Sequence, residues 1–126
     1  MREEIQAWCE QSKRDLEAAR HSLLSGDYEW ACFQVEQSIE KALKALYLKE
    51  KRELPKSHNL VRLGKELGLN EELIDILRDI TPDYVMTRYP NAANSIPYEI
   101  YDKEKAEERI KQGEKILKWI EERLRS

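Results

Sequence analysis

The feature that most narrows the fold is a recurrence of apolar and small residues at alternating steps of three and four, present in three separate stretches. Ile5, Cys9, Ser12, Leu16, Ala19 and Leu23 follow it first. Tyr28, Cys32, Val35, Ile39, Ala42 and Leu46 repeat it, and Ala106, Ile110, Gly113, Leu117, Ile120 and Leu124 close the chain with it. At 3.6 residues per turn this pattern gathers on one side of an α-helix. Three long amphipathic helices must therefore bury one stripe each, packed at shallow crossing angles. Shorter versions at Leu60, Leu63 and Leu67, and at Leu73, Leu77, Ile80 and Tyr84, predict two shorter helices.

The breaks between these stretches carry turn and cap chemistry. Ser25, Gly26 and Asp27 form a tight break with Asp27 as the expected N-cap, which makes the first two helices an antiparallel hairpin. Ser57 is the expected cap of the short third helix, Gly68 its end, and Asn70 and Asp102 the caps of the fourth and fifth. The predicted fold is all-α: one domain over residues 1–126, an antiparallel up-and-down bundle of four main helices plus one short helix. Folding about Gly26 separates Cys9 and Cys32 by about 16 Å along the bundle at 1.5 Å of rise per residue, too far for a disulfide. Both cysteines read as small core residues.

Charge excludes some functions. The chain carries 22 basic and 25 acidic residues among 126, so no global field draws it to nucleic acid, and any such contact must come from a local patch. The N-terminus meets charge at once, and no apolar run is long enough to span a bilayer, so the expected location is cytoplasmic with no membrane contact. There is no glycine-rich phosphate loop, nucleophile elbow or HExxH motif. His21 and His58, widely separated, make a poor metal site, and neither a metal nor a cofactor is expected.

The second helix has more than one busy face. Opposite its stripe lie Trp30, Phe33, Gln37, Glu40, Lys44 and Leu48, while Ala31, Ser38 and Ala45 form a row small enough for close helix approach. A Trp and the only Phe on an outward side need cover. Either another helix of the bundle supplies it, or Trp30, Phe33 and Gln37 meet a second chain. Glu40 and Lys44 have the favourable i,i+4 order of a solvated helix pair.

The segment from Thr81 to Asp102 holds Pro82, Pro90 and Pro97 and four tyrosines, Tyr84, Tyr89, Tyr98 and Tyr101. Pro90 and Pro97 predict an irregular crossing to the last helix. The tyrosines offer flat faces for base stacking, and Arg88 a guanidinium fork for phosphate. The opposing reading is that the tyrosines fill the bundle end, Tyr84 extending the fourth helix's stripe.

Phe33 to Leu48 (FQVEQSIEKALKALYL), Ser57 to Gly68 (SHNLVRLGKELG) and Thr87 to Ala92 (TRYPNA), followed by the last helix, together resemble the HEPN family, the higher eukaryote and prokaryote nucleotide-binding domain. The resemblance covers nearly the whole chain. It implies a bundle of four or five helices, commonly a homodimer, often paired with a minimal nucleotidyltransferase in a two-component or toxin–antitoxin system. It also implies either nucleotide or RNA binding or metal-independent ribonuclease activity. The ribonuclease members carry an Arg-x4-6-His motif near the start of their last main helix, the histidine moving protons while the arginine holds phosphate. Arg88 occupies the arginine's place, but no histidine follows it, and Asn91 and Asn94 nearby cannot act as bases. No catalytic residue is therefore assigned. The expected function is a nucleotide- or RNA-binding module using Arg88, Tyr89, Tyr84, Asn91 and His58. The alternatives are a ribonuclease toxin with a departed site, His58 serving as base, or a purely structural dimeric interaction protein. His58 has a local role open to it at the start of the third helix, or it turns toward Arg88 to complete a split site.

Overall fold

The structure, a computed structural model, describes residues 2–126. Among them eight helical segments and no strand occur: α1 (Arg2–Ser25), α2 (Tyr28–Lys51), α3 (Leu60–Glu66), α4 (Glu71–Ile80), α5 (Asp83–Met86), α6 (Pro90–Ala93), α7 (Pro97–Ile100) and α8 (Lys103–Arg125). The all-α bundle expected from the repeats is present. α2 is its centre, packed along α1 and α8 and touching α3, α5 and α7. The repeat positions meet in the middle of the bundle: Leu16, Ala19, Val35, Ile39, Ala42, Leu46, Ile110, Leu117 and Ile120 are all buried. The stripe frays at its ends, where Ile5, Cys9, Leu23, Tyr28 and Leu124 are only half-buried.

Small residues let the three long helices approach. Ser12 and Ser38 exchange hydrogen bonds across the α1–α2 contact, each hydroxyl donating to the other residue's carbonyl at 2.6 and 2.7 Å. Gly113 of α8 faces both helices, and a methyl group there would sit 3.0 Å from Val35 Cγ1 and 3.2 Å from Leu16 Cδ1. A glycine in mid-helix forfeits helix propensity, and this close approach is its compensation.

Two expected caps are corrected. Asp27 makes no side-chain capping bond. Its backbone N–H instead closes α1 onto the Ser22 carbonyl at 2.9 Å, with Gly26 at φ +81° donating to Leu23, a Schellman ending. The N-cap of α3 is Asn59, whose side chain accepts from the Arg62 N–H, while the Ser57 hydroxyl accepts from the Asn59 N–H. Asn70 and Asp102 cap α4 and α8 as expected, accepting from Leu73 and Lys105 N–H groups. Gly68, at φ +81°, follows α3 in a second Schellman ending. Both cysteines are free; Cys32 is core, and Cys9 is only half-buried.

The largest correction concerns residues 81–102. The prolines do not exclude helix. Pro90 and Pro97 each open a helical turn at the first position, where the missing N–H has no intrahelical partner to lose. Nor does Tyr84 extend the α4 stripe: it lies in α5, 47 % exposed. The segment is held by a buried polar cluster. Asp83 (2 % exposed) accepts from Tyr101 Oη at 2.8 Å and from Arg109 Nε at 2.7 Å. Arg109 (3 %) also reaches the Asp79 carboxylate and main chain, and Gln112 braces that carboxylate. Tyr101, expected as a stacking face, is thus a buried strut.

Breaking a buried ion pair from one side leaves an uncompensated charge, which costs about 3–5 kcal/mol. Arg109→Leu should therefore lose about that much stability by urea denaturation at pH 7. Pairing it with Asp83→Asn should restore a large part. Equal losses for the single and double variants would contradict this account of the cluster.

Candidate functional site

The cluster around Asp83 fixes α5, and α5 sets the site. The six residues after Asp83 bring Tyr84, Val85, Arg88 and Tyr89 to the bundle surface beside Phe33 of α2. Arg88 Nε donates to the Tyr84 carbonyl at 2.7 Å, which pins the guanidinium. Its central carbon lies 4.4 Å from the Tyr84 ring centroid, 4.8 Å from Phe33 and 5.0 Å from Tyr89. Trp30 meets Phe33 edge-on at 5.9 Å, so the aromatic surface runs on along α2. Among the described residues the only side-chain hydrogen bond of Arg88 is the one from Nε, and its two Nη groups have no partner. The cation is held by π faces, and its fork is free.

Trp30 is only partly covered within the chain. It is 45 % exposed, while Phe33 and Gln37 are half-buried, so Trp30 is not a core residue of the single chain. Val85, Tyr89, Ile96, Tyr98 and Ile100 add further exposed apolar surface from the same connection.

On the other side of Tyr84 opens a cleft of about 390 Å³, lined by Glu36, Gln37, Glu40, His58, Leu60, Thr81, Tyr84 and Val85. Gln37, Tyr84 and His58 thus do come together. Arg88 and Tyr89 share Tyr84 with them but do not line the cleft. Asn91 lies apart, exposed in the single turn α6. His58 is itself exposed, its Nδ1 3.2 Å from Glu40 Oε1, and Lys44 Nζ lies 2.9 Å from the same oxygen. That Glu40–Lys44 pair, expected to be solvated, is half-buried, with Lys44 5.1 Å from the Trp8 ring centroid.

Glu36 was not legible as a site residue. It is buried in the cleft wall, and its carboxylate accepts from the Gln37 amide at 2.8 Å. Burial pushes its carboxyl up to about 7, with the Gln37 hydrogen bond and the Arg88 charge opposing and Glu40 and Asp83 adding to the rise. No group of three or more His, Cys, Asp or Glu residues placed to hold a metal ion occurs among the described residues. None of their helices is long and apolar enough to cross a membrane.

Comparison with known proteins places the fold. The family model for the HEPN domain matches residues 5–123. Among solved structures, TT1696 from Thermus thermophilus is 34 % identical with a TM-score of 0.87, the match covering 94 % of this chain and 96 % of that one. An archaeal HEPN homologue, ST0689, is 30 % identical at 0.77, covering 94 % and 96 %. A HEPN domain protein of Thermotoga maritima is 27 % identical at 0.73, covering 94 % and 97 %. A search among curated proteins finds no match.

Glu36 makes a pH prediction. Between the ordinary carboxyl value of 4.5 and about 7, the folded chain keeps a proton that the unfolded chain has released, so this group's contribution to stability falls as pH rises through that window. Glu36→Gln, which mimics the protonated form, should be more stable than wild type at pH 8, by about 2–3 kcal/mol. The gain should shrink below pH 5. Denaturant titrations at both pH values check it, and a gain independent of pH would refute the assignment.

Proposed function

The chain belongs to the HEPN domain family, and from that premise we propose that it is a cytoplasmic, homodimeric module that binds a nucleotide or RNA strand and partners a minimal nucleotidyltransferase. The observation that carries the binding reading is the state of Arg88. Its Nε is committed to the Tyr84 carbonyl and its plane is backed by three rings. The remaining N–H groups are left to a phosphate, which a planar fork can grip with two bonds. Exposed Tyr84 and Tyr89 stand beside it as stacking faces. His58, in the cleft beside Tyr84, is the proposed contact for the rest of the ligand, and Asn91, exposed in α6, is the outermost of the proposed contacts.

Binding rather than cleavage is proposed because no histidine follows Arg88. The ribonuclease reading rests on His58, whose contact with Glu40 is an orienting pair of the kind general bases use. RNA cleavage in chelator decides that reading: activity lost in His58→Ala would establish it and remove the binding-only proposal.

The homodimer reading is supported by the exposed part of Trp30 on α2 and by the family's habit of pairing. Trp30, Phe33 and Gln37 are its proposed contacts, since exposed aromatic anchors are what interfaces bury. The nucleotidyltransferase partner and the two-component, toxin–antitoxin-like role follow from the family resemblance alone.

Two measurements test these readings. In calorimetry with ATP and with a short RNA, Arg88→Ala should weaken binding by roughly tenfold or more, the effect of losing a charge-assisted pair of hydrogen bonds. Equal heats for wild type and variant, or no heat from either ligand, would sink the nucleotide proposal. By light scattering the wild type should show twice the chain mass, and Trp30→Ala with Phe33→Ala should lower it; an unchanged mass would exclude this face as the contact.

A further inference from the structure

The opposite end of the bundle holds a larger opening that the nucleotide reading does not use. A cavity of about 660 Å³ lies where the start of α1 meets the ends of α2 and α8, lined by Arg2, Ile5, Gln6, Cys9, Lys49, Arg52 and Leu124. Its apolar lining comes from Ile5, Leu124 and the Cys9 thiol. Its charged side chains are all cations, and no carboxylate lines it. We propose that this cavity binds a small amphiphilic anion, a carboxylate or phosphate head carried on an aliphatic body, with Arg2 and Arg52 gripping the head and Ile5, Cys9 and Leu124 burying the body.

Two helix C-termini close on this end, and their carbonyls alone would repel an anion. Both are answered within the chain. The Arg52 backbone N–H closes α2 by donating to the Leu48 carbonyl at 3.0 Å, and Lys49 Nζ donates to the Leu124 carbonyl of α8. Lys49 is thus occupied in neutralising a helix end. Among the described residues the side chains of Arg2 and Arg52 make no ion pair with an acidic residue, whereas five of the chain's ten arginines do. Their charge is available to a ligand.

A second observation bears on Arg52 independently. It follows α2 in the left-handed conformation, φ 61° and ψ 24°, which glycine adopts freely and a residue with a Cβ does not. Left-handed helix endings elsewhere in the chain use glycine at Gly26 and Gly68 and asparagine at Asn94. An arginine at such a position is a strained choice whose backbone duty a glycine would perform better. What glycine would lack is the side chain that lines the cavity. The volume falls in the range of small-molecule sites, and an apolar lining with a few convergent charges is their usual make-up.

The test exploits that conflict between backbone and head group. Octyl phosphate and octanoate are titrated into the full chain by calorimetry, with inorganic phosphate and octyltrimethylammonium as head-only and opposite-charge probes. Alkylation of Cys9 by N-ethylmaleimide serves as the location readout, Cys32 being buried. One or both amphiphilic anions should bind saturably and slow Cys9 alkylation, and their relative affinities identify the head. Inorganic phosphate should bind at least tenfold more weakly, and the cation should not compete. Arg52→Gly should unfold at a higher temperature than wild type while weakening anion binding by roughly tenfold, the loss of one charge-assisted contact. Arg2→Gln should weaken binding without that gain. No saturable binding of either anion, equal binding of the cation, unprotected Cys9, or an Arg52→Gly chain that binds as wild type would each overturn the proposal.

Discussion

A carboxylate sealed into a helical bundle must be answered by a partner, and in this chain the answer determines where the surface chemistry lies. Asp83 is met by Arg109 from α8 and by the Tyr101 hydroxyl just before the same helix. Those two bonds join both ends of the 81–102 connection to one point in the interior. With its ends held, the stretch between them can be built from single helical turns carrying little core of their own. Without the pair, α5 would have only its contacts with α2 and α6 to fix it, and the guanidinium of Arg88 would have no defined place. The ion pair is better understood as a device for position than for net stability, since buried pairs cost nearly as much in desolvation as they return.

The bundle is legible in the sequence because periodicity is a strong and redundant signal. Leu16, Val35, Ile39 and Ile110 each lie on a stripe several turns long, and no alternative fold buries three such stripes. Caps at Asn70 and Asp102 are equally plain. The connection is not, for physical reasons particular to its residues. Proline reads as a barrier at Pro90 and Pro97, yet at a first helical position its ring matches the helix and its missing N–H costs nothing. Asp27 stands where a cap belongs, but the glycine before it lets the backbone close α1 without the side chain.

Arg88, Tyr84 and Tyr89 can be read from the sequence as a group because they are neighbours in it. Asp83 and Arg109 are 26 positions apart and belong to no repeat. Glu36 is hidden because a glutamate on a charged helix reads as solvated. A faint signal exists in both cases: Glu36 follows Val35 and Arg109 precedes Ile110, so each flanks a stripe position where a wide buried face takes in the neighbour. Charged residues at such positions are candidates for buried pairs or perturbed carboxyls.

The two ends of the bundle offer different chemistry. One has an arginine on an aromatic bed beside a cleft containing Glu36; the other has unpaired arginines beside an aliphatic lining. Both present a free guanidinium, so binding of any anion must be located as well as detected. Arginine-selective nitrogen NMR during titration with AMP and with a short RNA tests the central claim most directly. The account predicts that the Arg88 guanidinium signals shift first, together with the ring protons of Tyr84 and Tyr89, while those of Arg2 and Arg52 stay in place. Shifts confined to Arg2 and Arg52, or a silent Arg88 at saturating ligand, would contradict it.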